Sequence, residues 1–311
     1  MQLPRTPMQI LSRLPAIALT FFFPVLDLEA QTVDTLVHNL GALDALTVGP
    51  DGHIFASEIG RDASGKREFD GTTIYRIKPE GTVSVFTAAV KAPLGSALDE
   101  GGNLYVSGFT TGTIVKINPL GHEAIFAQGL DAPSGIAMDT AGNLYVANYG
   151  SGNAKTNPGR RISRITPDRT VSDYAVSMAF NGPVGLAFDE SGNLYVANFN
   201  DGRIHRVSPA GEISLLATIP GPVGFAVGYI TFARSSLFAT AIGENRVYRV
   251  SLTGDVTPFA GSGEAGSADG PAATAQFYMP NGIAASPAGD ALYVSEYGGT
   301  HVRRISFAPE K

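Results

Sequence analysis

Short segments of alternating apolar and polar residues run along most of the chain, and turns rich in Gly, Pro and Asn separate them. The segment 203–207, Arg-Ile-His-Arg-Val, is one example, and the turn Pro209-Ala210-Gly211 follows it. Alternation with a period of two is typical of β-strands, because successive side chains of a strand lie on opposite faces. The pattern predicts an all-β chain built from short strands.

One phrase recurs six times and predicts the architecture. It reads Pro-x-Gly-x-Ala-x-Asp, then a Gly-Asn turn, then Leu-Tyr-Val, and its clearest copies begin at Pro93, Pro133 and Pro183. Weaker copies surround Asp44, Val223 and Asn281. The central aromatic residues lie 40 to 55 residues apart, a spacing typical of four-stranded propeller blades: Phe55, Tyr105, Tyr145, Tyr195, Phe238 and Tyr293.

The two ends of the repeat region predict how the ring closes. The sixth copy stops after its third strand, and the segment Thr32–Val37 is an additional strand before the first copy. If that strand completes the last blade, no open sheet edge remains. We therefore expect one domain, residues 31–311, that forms a six-bladed β-propeller with four-stranded blades, closed by the N-terminal strand.

The N-terminal 30 residues have the features of a secretory signal. Arg5 and Arg13 precede an uncharged run over 14–26, which is too short to span a bilayer, and Leu28-Glu29-Ala30 follows it. The alternative is an ordinary apolar tail. We expect a signal peptide over 1–30, cleavage after Ala30, and a secreted or periplasmic protein.

Charge and composition exclude several classes of function. The net charge is −6, and no run of Lys or Arg is present, which argues against nucleic acid or an anionic membrane as a partner. The chain has no cysteine, so disulfides and thiolate metal sites are excluded. No second apolar segment reaches membrane length, and we expect a monomer without a transmembrane segment.

The repeat junction resembles that of NHL-repeat proteins. The resemblance rests on residues 260–266, on Ala275-Gln276-Phe277, on Pro280-Asn281-Gly282 and on Leu292-Tyr293-Val294, and it covers about residues 32–307. It extends more loosely to gluconolactonases and related propellers. It implies the fold, whereas propellers host enzymes and pure binding scaffolds alike. In enzymes of this superfamily, the pocket lies over the central channel, at the end that carries the connections between second and third strands.

The resemblance places one residue of each blade at the channel mouth, just before the Gly of Pro-x-Gly: Asp44, Leu94, Ser134, Val184, Val223 and Asn281. Asp44 and Asn281 belong to blades one and six, which become neighbours when the ring closes. Glu58 and Glu296 open loops of the same two blades, and His38 enters blade one at the same end. The sequence therefore predicts a polar patch at the junction of blades six and one, facing an apolar wall. Extra residues at 61–71, 151–159 and 261–278 lengthen connections at this end, which commonly marks a binding face.

Carboxylate and amide oxygens that converge are suited to Ca²⁺. We predict Asp44, Asn281, Glu296 and Glu58 as metal ligands, and His38 and Glu58 as catalytic residues. Gluconolactonases use an Asn and an Asp at this inner position of consecutive blades as metal ligands, and Asn281 followed by Asp44 has that order; the family's further ligands have no counterpart here. We predict six further residues on the binding face at this end of the ring: Ser134, Asn148, Asn198, Tyr149, Phe199 and Tyr297.

Three functions remain open at this point. The end of the ring could bind a small molecule or a protein partner without chemistry, with Asn148 and Asn198 as turn caps. It could instead be a metal-assisted lactone or ester hydrolase, or a carbon–oxygen lyase like streptogramin lyase. Asp99, Asp139 and Asp189 are expected to be structural residues at the opposite end, and His205 and His301 are expected at the surface.

Overall fold

The computed structural model describes residues 31–60, 68–152 and 157–308, and they form six four-stranded antiparallel sheets around a central channel. Blade one holds β2 Leu43–Val48, β3 Ile54–Glu58, β4 Ile74–Ile77 and β5 Val83–Thr87. Blade two holds β6 Pro93–Leu98, β7 Leu104–Gly108, β8 Thr113–Ile117 and β9 Glu123–Gln128. Blade three holds β10 Pro133–Met138, β11 Leu144–Asn148, β12 Arg161–Ile165 and β13 Val171–Val176.

Blade four holds β14 Pro183–Phe188, β15 Leu194–Asn198, β16 Arg203–Val207 and β17 Ile213–Thr218. Blade five holds β18 Ile230–Ala233, β19 Ser236–Ala241, β20 Arg246–Val250 and β21 Val256–Ala260, with a 3₁₀ helix, Ile242–Glu244, before β20. Blade six holds β23 Pro280–Ala285, β24 Ala291–Glu296, β25 Val302–Ser306 and β1 Thr32–Val37, with a short β22, Gly270–Pro271, beyond β1. The predicted fold class is confirmed.

The ring closes through the N-terminal strand, as the sequence predicts. β1 pairs antiparallel with β25, and Thr32 lies opposite Ser306 in the register. Asp34 accepts hydrogen bonds from the Arg304 guanidinium at 2.9 and 3.1 Å across this pair. The predicted signal peptide lies outside the described residues. No helix in the described part of the chain has the length and apolar character needed to cross a membrane.

The Asp and the Gly-Asn of the repeat stabilise the turn between the first and second strands of a blade. In blade three, Asp139 Oδ1 accepts a hydrogen bond from the backbone N–H of Asn143 at 2.8 Å, and Asp139 Oδ2 accepts from the Tyr145 hydroxyl at 3.0 Å. Partial burial acts to raise the pKa of Asp139, but these hydrogen bonds outweigh it, and the pKa is lower than usual. Burial and the bond to Asp139 raise the pKa of Tyr145 to about 12. Asp99 and Asp189 make the same contacts, so all three are structural, as expected.

The Gly of Pro-x-Gly lets neighbouring inner strands approach closely around the channel. A Cβ added to Gly135 would lie 1.9 Å from the carbonyl oxygen of Val184 in the next blade. A Cβ added to Gly95 would lie 2.3 Å from the carbonyl oxygen of Ser134. Only glycine fits such positions. The repeat therefore fixes the radius of the channel, while the residue before each glycine is left to line its mouth.

Blade five departs from the repeat and corrects one prediction. Val223 is 83% exposed and does not lie at the channel mouth, because the inner strand β18 begins only at Ile230. Arg234 and Ser235 form a two-residue hairpin turn in which both residues have positive φ, so β18 is short. Tyr229, directly before β18, faces the channel mouth instead.

Candidate functional site

A cavity of about 150 Å³ opens at the channel mouth, at the end that carries the connections between the second and third strands. Each blade contributes one residue from the start of its inner strand: Asp44, Leu94, Ser134, Val184, Tyr229 and Asn281. Leu94 and Val184 are buried in blades two and four, and the polar Ser134 lies between them in blade three. Of the polar patch predicted at the junction of blades six and one, Asp44 and Asn281 line the cavity, whereas His38, Glu58 and Glu296 do not.

Four of these residues form a buried polar floor: Asp44, Ser134, Tyr229 and Asn281. The Tyr229 hydroxyl donates to Asp44 Oδ1 at 2.7 Å, and the Asn281 side-chain amide donates to Asp44 Oδ2 at 3.0 Å. The Ser134 and Tyr229 hydroxyl oxygens are 3.4 Å apart. The floor therefore connects blades one, three, five and six through one carboxylate.

The floor is held in place by backbone contacts between blades five and six. The Tyr229 backbone N–H donates to the Asn281 carbonyl oxygen at 3.0 Å, and the Thr240 hydroxyl donates to the same oxygen at 2.6 Å. Asn281 Oδ1 is buried and has no hydrogen-bond partner among the described residues. An acceptor in this state is costly unless a ligand or a water satisfies it.

Six aromatic side chains stand above the floor and form an aromatic wall: Phe69, Phe109, Tyr149, Phe199, Phe225 and Tyr297. Their ring centroids lie 5.1 to 6.1 Å apart from one to the next, from Phe69 in blade one through to Tyr297 in blade six. Three of these five contacts are edge-on, one is stacked and one is tilted; edge-on and offset-stacked contacts are the favoured geometries for aromatic pairs. Burial raises the pKa of Tyr149, so its hydroxyl stays neutral in the wall.

Asp44 bears the one carboxyl group among the described residues that line the cavity. All other described lining side chains are aliphatic, aromatic, hydroxyl or amide groups. The cavity thus combines a large apolar contact surface with one buried carboxyl group. This composition resembles general small-molecule sites, in which few polar groups orient a ligand within apolar walls.

The sequence-predicted residues divide into two groups. Ser134, Tyr149, Phe199 and Tyr297 line the cavity together with Asp44 and Asn281. Asn148 and Asn198 do not line it: Asn148 Oδ1 accepts from the Asp131 N–H at 3.0 Å, and the Asn198 amide donates to the Ala179 carbonyl at 2.9 Å. Asn148 and Asn198 therefore cap turns, which is the alternative that the sequence analysis left open for them, and they do not belong to the binding face.

Neither predicted catalytic residue lines the cavity. His38 is exposed, and its ring contacts the His301 ring edge-on at 5.4 Å between centroids. The Glu58 carboxylate turns away from the channel and accepts a hydrogen bond from the Tyr75 hydroxyl at 2.9 Å. That bond and burial raise the pKa of Tyr75 to about 12, with burial the larger cause.

Glu296 lies in a different polar cluster, between blade six and the preceding connection. It is fully buried, and its Oε1 accepts from the Tyr278 N–H at 3.0 Å and from the buried Arg303 guanidinium at 3.3 Å. Its Oε2 lies 2.9 Å from His301 Nδ1. Arg303 also binds Asp269 at 2.7 Å. Glu296 therefore ties β24 to β25 and to the connection that precedes blade six.

The predicted calcium ligands do not assemble into a coordination sphere. Ca²⁺ takes six to eight oxygen ligands, whereas the Asn281 amide presents its nitrogen to Asp44, and both glutamates bind other partners. No group of three or more His, Asp or Glu side chains in the described segments is placed to hold a metal. The residues present do not fit a calcium ion in this arrangement, and the calcium prediction rests on the sequence alone.

The sequence analysis expected His205 and His301 at the surface, but His205 is buried and His301 is only partly exposed. His205 is 5% exposed, and its ring lies edge-on to the Phe180 ring at 6.2 Å between centroids. Burial lowers the pKa of His205, so the neutral form is favoured. His301 is only partly exposed and pairs with Glu296. The alternation of β16 predicts the strand correctly but does not tell which face the next connection covers.

Sequence reasoning missed five cavity residues: Ile59, Phe69, Phe109, Phe225 and Tyr229. Phe109 had a usable signal, because it follows its second strand at the same position as Tyr149 and Phe199. Spacing argued against Val223, because Leu94, Ser134 and Val184 each precede the Leu of Leu-Tyr-Val by ten residues, but Val223 precedes Leu237 by fourteen. The same spacing does not select Tyr229, which precedes Leu237 by eight residues. Phe69 and Phe225 lie in non-repeating segments, for which the sequence offers no register.

Comparisons with known proteins support the fold and the family. The model of the virginiamycin B lyase family matches residues 46–267. A streptogramin B lyase structure is 16% identical with a TM-score of 0.63, covering 89% of this chain and 97% of that one. A gluconolactonase from Xanthomonas campestris is 15% identical with a TM-score of 0.67, covering 88% and 89%.

A third solved structure is a virginiamycin B lyase from Staphylococcus aureus with quinupristin, a histidine-to-alanine variant described as catalytically inactive. It is 16% identical with a TM-score of 0.59, covering 89% of this chain and 99% of that one. No curated protein sequence matches the chain significantly. At these identities the solved structures show that the fold is shared.

Proposed function

The chain belongs to the virginiamycin B lyase family, and we propose that it binds a small organic molecule in the cavity at the channel mouth. The observation that carries the proposal is the aromatic wall above a buried polar floor. Aromatic side chains supply large contact areas for apolar groups. A few polar groups at the bottom of such a site fix the orientation of the ligand.

The shape of the site favours a small molecule over a protein partner. The cavity is concave, and its volume of about 150 Å³ equals that of engineered apolar cavities that hold benzene. A protein interface of standard size is a much broader surface. The floor is also too deep for backbone groups of a folded partner, since Asp44 is 3% exposed and Asn281 is 2% exposed.

We place this binding activity outside the cytoplasm. The support is the sequence of residues 1–30, with two arginines before a short apolar run and a small residue at the cleavage position. The chain has no cysteine, so outside the cytoplasm its fold has to be stable without disulfides. Closure of the ring contributes to that stability, because β1 completes the last blade by pairing with β25.

A fragment screen by ligand-observed NMR tests the proposal, with Phe199→Leu as the site variant. That change removes one ring of the wall and keeps an apolar side chain of similar size. Phe86→Leu is the matched control, since Phe86 packs on Phe55 in an outer strand and does not line the cavity. Fragments that bind the wild type and Phe86→Leu but bind Phe199→Leu weakly support the site. A screen in which no fragment distinguishes the two variants would refute it.

Chemistry on the bound molecule is the second candidate, and the Asp44–Tyr229 contact of 2.7 Å favours it. A carboxylate beside a tyrosine hydroxyl offers a proton acceptor and a proton donor within one floor. The lyase variant described as inactive lacks one histidine, whereas none of the histidines in the described part of this chain lines the cavity. Elimination of a carbon–oxygen bond here would therefore use Asp44 as the base.

Hydrolysis assisted by calcium stays a prediction from the sequence, and it has a direct test. Melting temperatures are measured with Ca²⁺ and with a chelator for the wild type, Asp44→Ala and Asn281→Ala. A rise with Ca²⁺ that both variants lose would place a cation at the junction of blades six and one, and would justify a screen of lactones and esters. If no divalent ion raises the melting temperature, the calcium-assisted hydrolase is refuted and binding without a metal remains.

A further inference from the structure

A second space adjoins the cavity, a groove of about 460 Å³ at the same end of the propeller. Three side chains of the aromatic wall, those of Tyr149, Phe199 and Phe225, line both the groove and the cavity. The groove and the cavity therefore meet at these three rings. The other described residues that line the groove come from the connections around blades four and five: Asn181, Asn200, Val223 and Gly224.

One side of the groove is formed where blade five departs from the repeat. Pro222-Val223-Gly224 has the Pro-x-Gly form that places a residue at the channel mouth in other blades, but Tyr229 lines the mouth in blade five. The Pro-x-Gly segment bonds to blade four instead, since the Gly224 N–H donates to the Asn200 carbonyl oxygen at 3.1 Å. Val223 thus lines the groove and is 83% exposed.

The chemistry of the groove favours an apolar occupant. Val223 and Phe225 are both large apolar side chains with exposed surface in the groove. The Asn200 amide donates to Asn181 Oδ1 at 3.2 Å, and the Asn181 amide donates to Asp201 at 3.1 Å, so both amides already bond to protein groups. No acidic or basic side chain is among the described residues that line the groove. An alkyl chain that covers Val223 and Phe225 removes apolar surface from water, which is favourable.

We infer that the ligand is an elongated molecule, with a compact ring group in the cavity and an alkyl chain in the groove, and that Val223 selects for the chain. This inference rests on the proposed function and names its ligand class. The cavity of about 150 Å³ holds a group of benzene size, whereas the groove, at about 460 Å³, is the larger of the two spaces. A ring alone leaves Val223 in water, and a chain attached to the ring covers it.

A homologous series of ligands tests the inference with the full chain. N-benzylacetamide, N-benzylbutanamide, N-benzylhexanamide and N-benzyloctanamide share one ring and differ in chain length, and N-methyloctanamide has the longest chain without the ring. Dissociation constants are measured by calorimetry for the wild type, Val223→Asp and Leu215→Asp. Leu215 is the control because it is also apolar and exposed, on the outer strand β17, and lines neither the cavity nor the groove.

We expect the affinity of the wild type to rise about threefold for each methylene added, because complete burial of a CH₂ group contributes up to about fourfold. N-methyloctanamide should bind more weakly than N-benzyloctanamide. Val223→Asp should abolish the rise and leave the affinity for N-benzylacetamide within about twofold, since residue 223 lies outside the cavity lining, while Leu215→Asp should match the wild type. Phe109→Leu, which changes the cavity but not the groove, should weaken every benzyl ligand by a similar factor.

The outcomes separate the two proposals. An affinity that does not rise with chain length, or that rises equally in Val223→Asp, would overturn the chain inference; weaker binding of N-benzylacetamide by Phe109→Leu would then keep the proposed function. If no benzyl ligand binds while other ring fragments bind in a way that depends on Phe199, the chain inference is overturned and the proposed function stands. Binding of no fragment in a way that depends on Phe199 would overturn the proposed function, and the chain inference would fall with it.

Discussion

The buried pair of Glu296 and Arg303 allows a direct test of what holds blade six together. Both side chains are fully buried, and their contact of 3.3 Å joins β24 to β25. Arg303 also donates to the Gln276 carbonyl at 2.6 Å and to Asp269 at 2.7 Å, so it holds the connection before blade six against the sheet. The perturbation is Glu296→Gln, which keeps the shape of the side chain and removes its charge.

The expected loss in the free energy of unfolding of Glu296→Gln depends on which hydrogen bonds and charges remain around residue 296. The new amide oxygen can accept from the Tyr278 N–H and from Arg303, and the amide nitrogen can donate to His301 Nδ1, so the hydrogen bonds survive. The lost charge leaves buried Arg303 with Asp269, whose side chain is 49% exposed. Removal of one partner of a buried pair typically costs 3–5 kcal/mol, and the remaining carboxylate places this case near about 3 kcal/mol.

Urea unfolding measures the change in the free energy of unfolding, with Asp173→Asn as the control. Asp173 pairs with Arg161 at 3.2 Å, but both side chains are about half exposed, so the control should cost less than about 1 kcal/mol. A cost for Glu296→Gln no larger than the control would refute the structural role. A cost that appears only with Ca²⁺ and vanishes with a chelator would instead make Glu296 a metal ligand, as the sequence suggested.

Three further predictions concern packing, pH and export. Gly135→Ala places a Cβ 1.9 Å from the Val184 carbonyl oxygen and should cost at least about 3 kcal/mol in urea unfolding, whereas Gly101→Ala, which would meet only side chains at 3.3 Å, should cost less than about 1 kcal/mol. Burial lowers the pKa of His205 below its unfolded value of 6.5, so the unfolded state binds the proton more tightly, and stability should fall as the pH drops below 6.5; His205→Gln should flatten that slope, and an unchanged slope would contradict the assignment. Intact-mass analysis of the exported protein should find Gln31 at the N-terminus, and retention of Met1 would contradict the signal peptide.

The fold could be predicted from the sequence because each repeat carries its own constraints. Gly135 is required by the approach of Val184, and Asp139 with Asn143 and Tyr145 builds a turn that recurs in three blades. Local requirements of this kind leave a visible pattern in the sequence. Blade five lacks the pattern, and there the sequence placed Val223 at the channel mouth where the structure has Tyr229.

The site was predictable in position but only partly in chemistry. Counting along the repeat brought Asp44 and Asn281 together across 237 residues of sequence, and the two side chains are hydrogen-bonded. The same counting could not show which way Glu58 and Glu296 turn, because a side chain after a strand end can face the channel or the neighbouring sheet. Tyr75 and Arg303 decide that direction, and they lie on other strands.

Different positions of the repeat meet different requirements, and this explains why ligand specificity should depend on the residue before the glycine. The glycine is fixed by the approach of the next blade, and the Asp after it is fixed by the turn. The residue before the glycine is subject to neither requirement, and it varies between blades: Asp44, Leu94, Ser134, Val184 and Asn281 differ in size and polarity. Because Asp44 is the single acidic residue among these positions, Asp44→Asn should change the choice of ligand. Because the Asp44 carboxylate accepts hydrogen bonds from Tyr229 and Asn281 in other blades, the same change should also lower the stability of the propeller.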